Sequence, residues 1–254
     1  MGVGFPPVGA PAIVRLVSAG AEPRIALRYK VPVGFKGKMD MSVSTSMRME
    51  LGGTTMPDLA MPKMSSLLEM AVTAVSPSGD MSIRAESATL KMDMTGVDPM
   101  VATAMQAADF GNTSVVVTGV TDPRGLARDM VSDTSKITNP QLKAMAEQVA
   151  ESVKTASFQL PEEAVGVGAK WEVRSHMATG GIDGFQTALF EIVAIEGRKV
   201  RLKVNITQTA PPQAADIPNM PPGAAAQLRE LTGTGSGTAV VDLDSLIAEG
   251  EQSL

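Results

Sequence analysis

Methionine is the residue type whose number and spacing first suggest chemistry. The chain carries 18 methionines against six phenylalanines, one tyrosine and one tryptophan. Met39, Met41, Met47 and Met49 occupy odd positions of one run, as Met39-Asp40-Met41 and Met47-Arg48-Met49, and Met92-Asp93-Met94 repeats the spacing. Alternate side chains of a strand share a face, so these thioethers would line one surface, with Met70 and Val72 beside them on a neighbouring strand. Unbranched, polarizable thioethers adapt to guests of variable shape, which suits an apolar pocket. The same residues also serve to fill a core short of aromatics, and paired thioethers are soft enough to select Cu(I). Apolar neighbours, the Arg48 inside one pair and the lack of a histidine nearby weigh against copper. The expectation is a hydrophobic cavity lined by Met39, Met41, Met47, Met49, Met70, Val72, Met92 and Met94, with no metal and no cofactor.

Other chemistry has little material. There is no cysteine and one histidine, which removes disulfides, thiolate zinc sites and a cysteine nucleophile. His176, in Arg174-Ser175-His176-Met177, sits mid-strand, and no G-x-S-x-G elbow precedes a helix. Gly233-Thr234-Gly235-Ser236-Gly237 leads into a strand and lacks the Lys and helix of a phosphate loop, so it reads as turn glycine. Asp242-Leu243-Asp244 and Asp122-Pro123 read as turn or edge residues without calcium-loop spacing. No catalytic residue can be named, and the chain is expected not to be an enzyme. A net charge of −5 argues against nucleic acid and anionic membrane surfaces as partners.

The elements that would position these residues are mostly strands. Val31 to Leu51 alternates strictly, and Lys38 to Leu51 alone would reach about 45 Å at the usual rise of a strand. A hairpin follows, Ser66 to Val75, a turn at Ser76 to Asp80, then Met81 to Met94, where apolar parity changes and a β-bulge is expected near Glu86 and Ser87. Asp98-Pro99 opens a short helix through Ala108, and Thr113 to Thr118 reads as strand. Asn139-Pro140 starts a better helix, Pro140 to Ala156, with Leu142, Met145, Ala146, Val149 and Val153 on one face. Strands are then expected at Ala169 to Met177, Thr187 to Ile195, Lys199 to Thr209 and Thr238 to Leu243. A Pro/Gly/Ala-rich loop, Ala210 to Thr234, carries a short helix at Ala224 to Leu231. Leu246 to Leu254 begins another pairing.

The two halves use the same order of parts. Glu69 to Val75 with Gly79 and Ile83 corresponds to Leu189 to Ile195 with Gly197 and Leu202, and Gly111 to Val117 corresponds to Gly235 to Val241. The reading is a mainly β fold with minor α. Two repeated antiparallel β-meanders, about 30–135 and 167–254, are joined by helix 140–156 and form a curved sheet or half-barrel. Residues 1–27 make a flexible or edge segment and 28–254 one β-rich domain.

The stretch Phe158-Gln159-Leu160-Pro161-Glu162-Glu163-Ala164-Val165-Gly166-Val167-Gly168-Ala169-Lys170-Trp171, followed later by Gly235-Ser236-Gly237-Thr238 and a strand, resembles uncharacterised bacterial exported lipoproteins with duplicated β-meanders. In plan the chain is also similar to the half-barrel lipoprotein carriers of the bacterial envelope. That resemblance implies an acyl chain or another hydrophobic molecule as ligand, and a periplasmic or envelope-associated location, with the signal and any lipidation site outside this chain. The start of the chain has no basic region ahead of an apolar one, and no run approaches the roughly 18 apolar residues of a spanning helix. Non-catalytic binding or carriage of a lipid is therefore expected. A structural or protein-binding module of the envelope is the alternative, and methionine-rich copper binding the second.

Overall fold

The computed structural model describes residues 4–43, 46–47, 50–51, 54–55, 59–60, 63–87, 91–93, 95, 97, 115–133, 158–179, 182–215, 226–228, 231–247 and 249–253. The regular elements among them are strands. The first half holds β1 (Ile13–Ser18), β2 (Lys36–Val43), β3 (Ser46–Met47), β4 (Glu50–Leu51), β5 (Thr54–Thr55), β6 (Leu59–Ala60), β7 (Lys63–Val75), β8 (Met81–Ser87), β9 (Lys91–Asp93), β10 (Val115–Thr121) and β11 (Ala127–Asp133). The second holds β12 (Lys170–Thr179), β13 (Ile182–Glu196), β14 (Lys199–Ala210), β15 (Gln213–Ala215), β16 (Ala226–Leu228), β17 (Leu231–Asp242) and β18 (Glu249–Ser253).

These strands make two antiparallel sheets. Sheet I runs β2-β7-β8-β10-β11, with β9 also on β7; sheet II runs β1-β12-β13-β14-β17-β18. The mainly β, antiparallel character expected is present, in two sheets: among the described residues no strand bridges the two meanders, and neither sheet closes into a barrel. The reason lies in residues 27–35, which hydrogen-bond to turns of both sheets and so stand between them. The helices expected at 98–108 and 140–156 lie outside the described residues. The short helix expected at 224–231 is corrected. Ala226–Leu228 is extended and pairs with Gln213–Ala215, and Leu231 already begins β17. A helix of two turns is marginal in water, whereas the ladder continues the β14–β17 hairpin in unbroken register.

Alternation decides which side chains are inside. Along β14, Val200, Leu202, Val204 and Ile206 are buried while the intervening Lys199, Arg201, Lys203 and Asn205 are exposed. The long alternating run expected as one strand over Val31 to Leu51 is strand from Lys36 onward in its described parts, which pair with the segment that follows: Lys36 opposite Ala71, Met47 opposite Leu59 and Leu51 opposite Thr54. Across the parity change after Glu86, Leu68 faces Ser87 but Ser65 faces Lys91, so the β8–β9 side carries one more residue than β7.

One core joins the sheets. Leu68, Met70, Val72, Met81, Ile83 and Val117 come from sheet I; Trp171, Phe190, Ile192, Leu202, Val204 and Val241 from sheet II. Between them run Leu27, Tyr29 and Val31, alternate and buried. The Tyr29 N–H donates to the Pro123 carbonyl at 2.8 Å and the next N–H, of Lys30, donates to Leu243 at 2.8 Å. Arg28 caps the Pro161 and Glu162 carbonyls at 3.0 and 2.7 Å, and Arg198 caps those of Arg28 and Leu243 at 3.1 and 3.0 Å.

The meanders are built alike at this basal end. Before β2, the Gly34 N–H donates to Val72 O, Val72 N–H to Phe35 O and Phe35 N–H to Pro32 O; before β12, Gly168, Ile192, Ala169 and Gly166 make the same three bonds. Both glycines have positive φ, 87° and 80°, which a side chain rarely adopts. The register of β7 on β8 slips at Val72/Ala74, and that of β13 on β14 slips at Ile192/Ala194. Asp122 and Asp242 each close the turn after the fourth strand: Oδ1 accepts the Arg124 or Asp244 N–H, and the backbone carbonyl accepts Gly125 or Ser245 N–H.

Candidate functional site

The inner face of sheet II changes character along its length. Near the basal turns it is packed solid: Trp171 stacks on Phe190 at 5.4 Å, its Nε1 donating to Gln159 O at 2.8 Å, and Phe158 meets Phe190 edge-on at 5.5 Å. Towards the other end the inward positions become small or amide. On β17 they are Gly237, Gly235 and Gly233, directly opposite Val204, Ile206 and Gln208 of β14. These glycines are half-exposed, whereas Ala239 and Val241, the next inward positions towards the base, are buried. Three successive positions without side chains leave a backbone-lined trough, while Val204 and Ile206 opposite are themselves buried. At its far end Gln208 Nε2 donates to Gln186 Oε1 at 2.8 Å, a cross-strand amide pair. Ser175 lies opposite Gln186 on the same face. A Cβ on Gly233 would meet Gln208 only at ordinary contact distance, 3.4 Å, so the trough there has room for atoms.

The glycine run is thus strand rather than the turn expected from sequence. Glycine carries no side chain to alternate, so periodicity cannot register such a strand. Its signal was instead Thr232, Thr234, Ser236 and Thr238, alternating with the glycines and all exposed.

The expected methionine site is placed as follows. Met70 and Val72 are buried in the shared core, and Met39 packs partly buried against it. On the backbone, Met39 stands opposite Leu68, Met41 opposite Ser66 and Met92 opposite Met64, which brings β2, β7 and β9 side by side. Met47 stands opposite Leu59 on the outlying part of the hairpin. Met49 and Met94 lie outside the described residues. Register therefore assembles Met39, Met41, Met70 and Val72 at one sheet, and leaves Met47 farther along the ribbon.

Charged groups at the sheets work on the outside or at turns. Lys38 Nζ meets Glu69 Oε1 at 2.6 Å across β2 and β7, and this hydrogen bond holds its ammonium above the ordinary lysine range. Arg128 meets Asp80 at 2.8 Å and, with Ser78, holds that carboxyl below its usual range. Among the described residues no group of three His, Asp or Glu side chains could hold a metal ion. The trough presents glycine backbone and, at one end, the Gln186 and Gln208 amides, groups that can hydrogen-bond a carbonyl or hydroxyl. Comparison with protein families, with characterised proteins and with solved structures finds no match.

Proposed function

We propose that the protein binds a lipid or another hydrophobic molecule without chemically altering it. The observation that carries this reading is the row of Gly233, Gly235 and Gly237, inward-facing yet partly exposed where Ala239 and Val241, the next inward positions of the strand, are buried. An unbranched chain laid there would gain about 0.8 kcal/mol per methylene removed from water. The Gln186–Gln208 amides at its end suit an ester or amide head. On the other sheet Met39, only partly buried against the core, adds an adaptable thioether. Two meanders of one plan, derived from a duplicated ancestor, account for the shared strand order, bulge position and turn bonds. A bacterial envelope compartment is the setting that fits the resemblance of the Leu160 to Trp171 segment. Among the described residues no helix is long and apolar enough to cross a membrane.

The test is native mass spectrometry of the purified protein, then organic extraction and identification of what comes off. A near-stoichiometric lipid supports the proposal. A clean mass together with no binding of an environment-sensitive lipophilic dye overturns it. In that event the exposed basal valines, Val33, Val167 and Val193, favour a protein-binding module instead. Gly233→Val, which adds carbon to the trough without backbone conflict, is expected to weaken dye binding at least several-fold while the far-ultraviolet spectrum stays unchanged.

A further inference from the structure

The outer face of sheet II carries a second constellation, independent of the trough. Residues Glu172, Arg174 and His176 of β12 alternate with the buried Trp171 and Val173 and so point away from the core. Against them lies the N-terminal strap, residues 4–12, which precedes β1 and contains no titratable side chain. Phe5 packs on Phe185 of β13 with centroids 4.8 Å apart, His176 packs on the same Phe185 ring at 4.9 Å, and the Arg174 guanidinium lies 5.8 Å from the Phe5 centroid. Pro6 is buried in this contact.

His176 touches the strap and the sheet with different ring atoms. Nδ1 lies 3.2 Å from the Pro6 carbonyl oxygen, and Nε2 lies 2.9 Å from Asp183 Oδ1. A carbonyl oxygen and an ionised carboxylate both only accept, so both contacts are hydrogen bonds only when both ring nitrogens carry a proton. The neutral ring has one N–H. Given to Asp183, it turns the Nδ1 lone pair on the Pro6 oxygen, which repels the strap. The carboxylate is itself positioned: the Asp183 N–H donates to Gln213 Oε1 at 2.7 Å, and Gln213 Nε2 donates back to Asp183 O at 2.7 Å. The other charges facing this cluster are Arg174, paired with Glu172 at 2.8 Å, and Arg15 of β1 opposite Glu172 in register.

We propose that His176 is a proton-operated latch that holds the strap on sheet II when doubly protonated and releases it when neutral. Fastened, the strap covers the Phe185 face and adjoins the edge strand β1; released, it uncovers an aromatic surface beside that edge.

The chain suits a direct test, because His176 is its only histidine and it has no cysteine. A nitroxide on Val8→Cys, an exposed strap position, reports strap mobility by electron paramagnetic resonance. The expected result is an immobilised spectrum near about pH 5 that turns mobile near about pH 8. In His176→Gln the spectrum is expected to be mobile and independent of pH, and Asp183→Asn should reduce the immobilised fraction at the lower pH. Nitrogen-15 resonances of the unsubstituted protein give a second readout, two ring N–H groups in the latched form. An identical spin-label spectrum at both pH values, or the same pH response in His176→Gln, overturns the latch. Because the unsubstituted protein is read by its own ring, misfolding of a variant leaves the test intact.

Discussion

Tyr29 shows how much one buried hydroxyl can report. Its phenol is fully enclosed in the core and donates to the Phe158 carbonyl at 3.2 Å. Burial pushes its pKa well above the ordinary value of 10.0. The unfolded chain then loses this proton at lower pH than the folded one, so the group's contribution is complete below about pH 10 and declines as pH rises further. Tyr29 is the sole tyrosine, so phenolate absorbance is unambiguous. It is expected to stay low at alkaline pH until the protein unfolds, and then to rise with unfolding. Tyr29→Phe should make the alkaline loss of stability shallower, at a cost near neutrality of about 1 kcal/mol for the bond and its orphaned carbonyl. Trp171, buried, stacked and hydrogen-bonded, is the other such residue; Trp171→Ala should cost about 3–5 kcal/mol in denaturant titration.

Between residue and fold stand the turns. Asp122 Oδ1 accepts two N–H groups, from Arg124 at 2.8 Å and Leu126 at 2.9 Å, where Asp242 Oδ1 accepts that of Asp244 at 2.9 Å. Asp122→Ala should therefore lower the melting temperature more than Asp242→Ala, the first losing about 1–2 kcal/mol, measured by calorimetry on both variants. Elements also mark what the sequence could tell. Strands with branched or long apolar side chains on one face, such as β14, β7 and β8, were legible because period-2 alternation is written in those side chains, whereas the pairing of β2 with β7 was not read. β17 was not, since glycine hides the alternation. Equivalence between the halves was legible in order but not in alignment. Val31-Pro32-Val33-Gly34-Phe35-Lys36 and Val165-Gly166-Val167-Gly168-Ala169-Lys170 share Val-x-Val-Gly-x-Lys, and the hydrogen bonds show these two segments in the same arrangement. The separation into two sheets was illegible because it depends on bonds from residues 27–35 to turns far along the chain. As for the site, methionine number and parity pointed to the β2–β7 face, while the trough needed β17 to be recognised as a strand.

For the whole molecule, the proposed binding reading assigns stability to the packed base of sheet II and guest binding to its more open far end. Substitutions at the base should lower stability and leave guest capacity per folded molecule unchanged; Gly233→Val should do the reverse. Comparing Trp171→Ala with Gly233→Val in paired melting and dye titrations tests that division, and it fails if both variants move both quantities together. The junction of the sheets carries one last consequence. Tyr29 and Lys30 are consecutive, and their N–H groups bond Pro123 of one meander and Leu243 of the other. Two adjacent peptide units thus rivet one short stretch of chain to both halves, so neither half can pull away from the other without giving up one of the two bonds. Heating should accordingly give one endotherm whose calorimetric and van't Hoff enthalpies agree, the mark of two look-alike halves that melt as one cooperative unit.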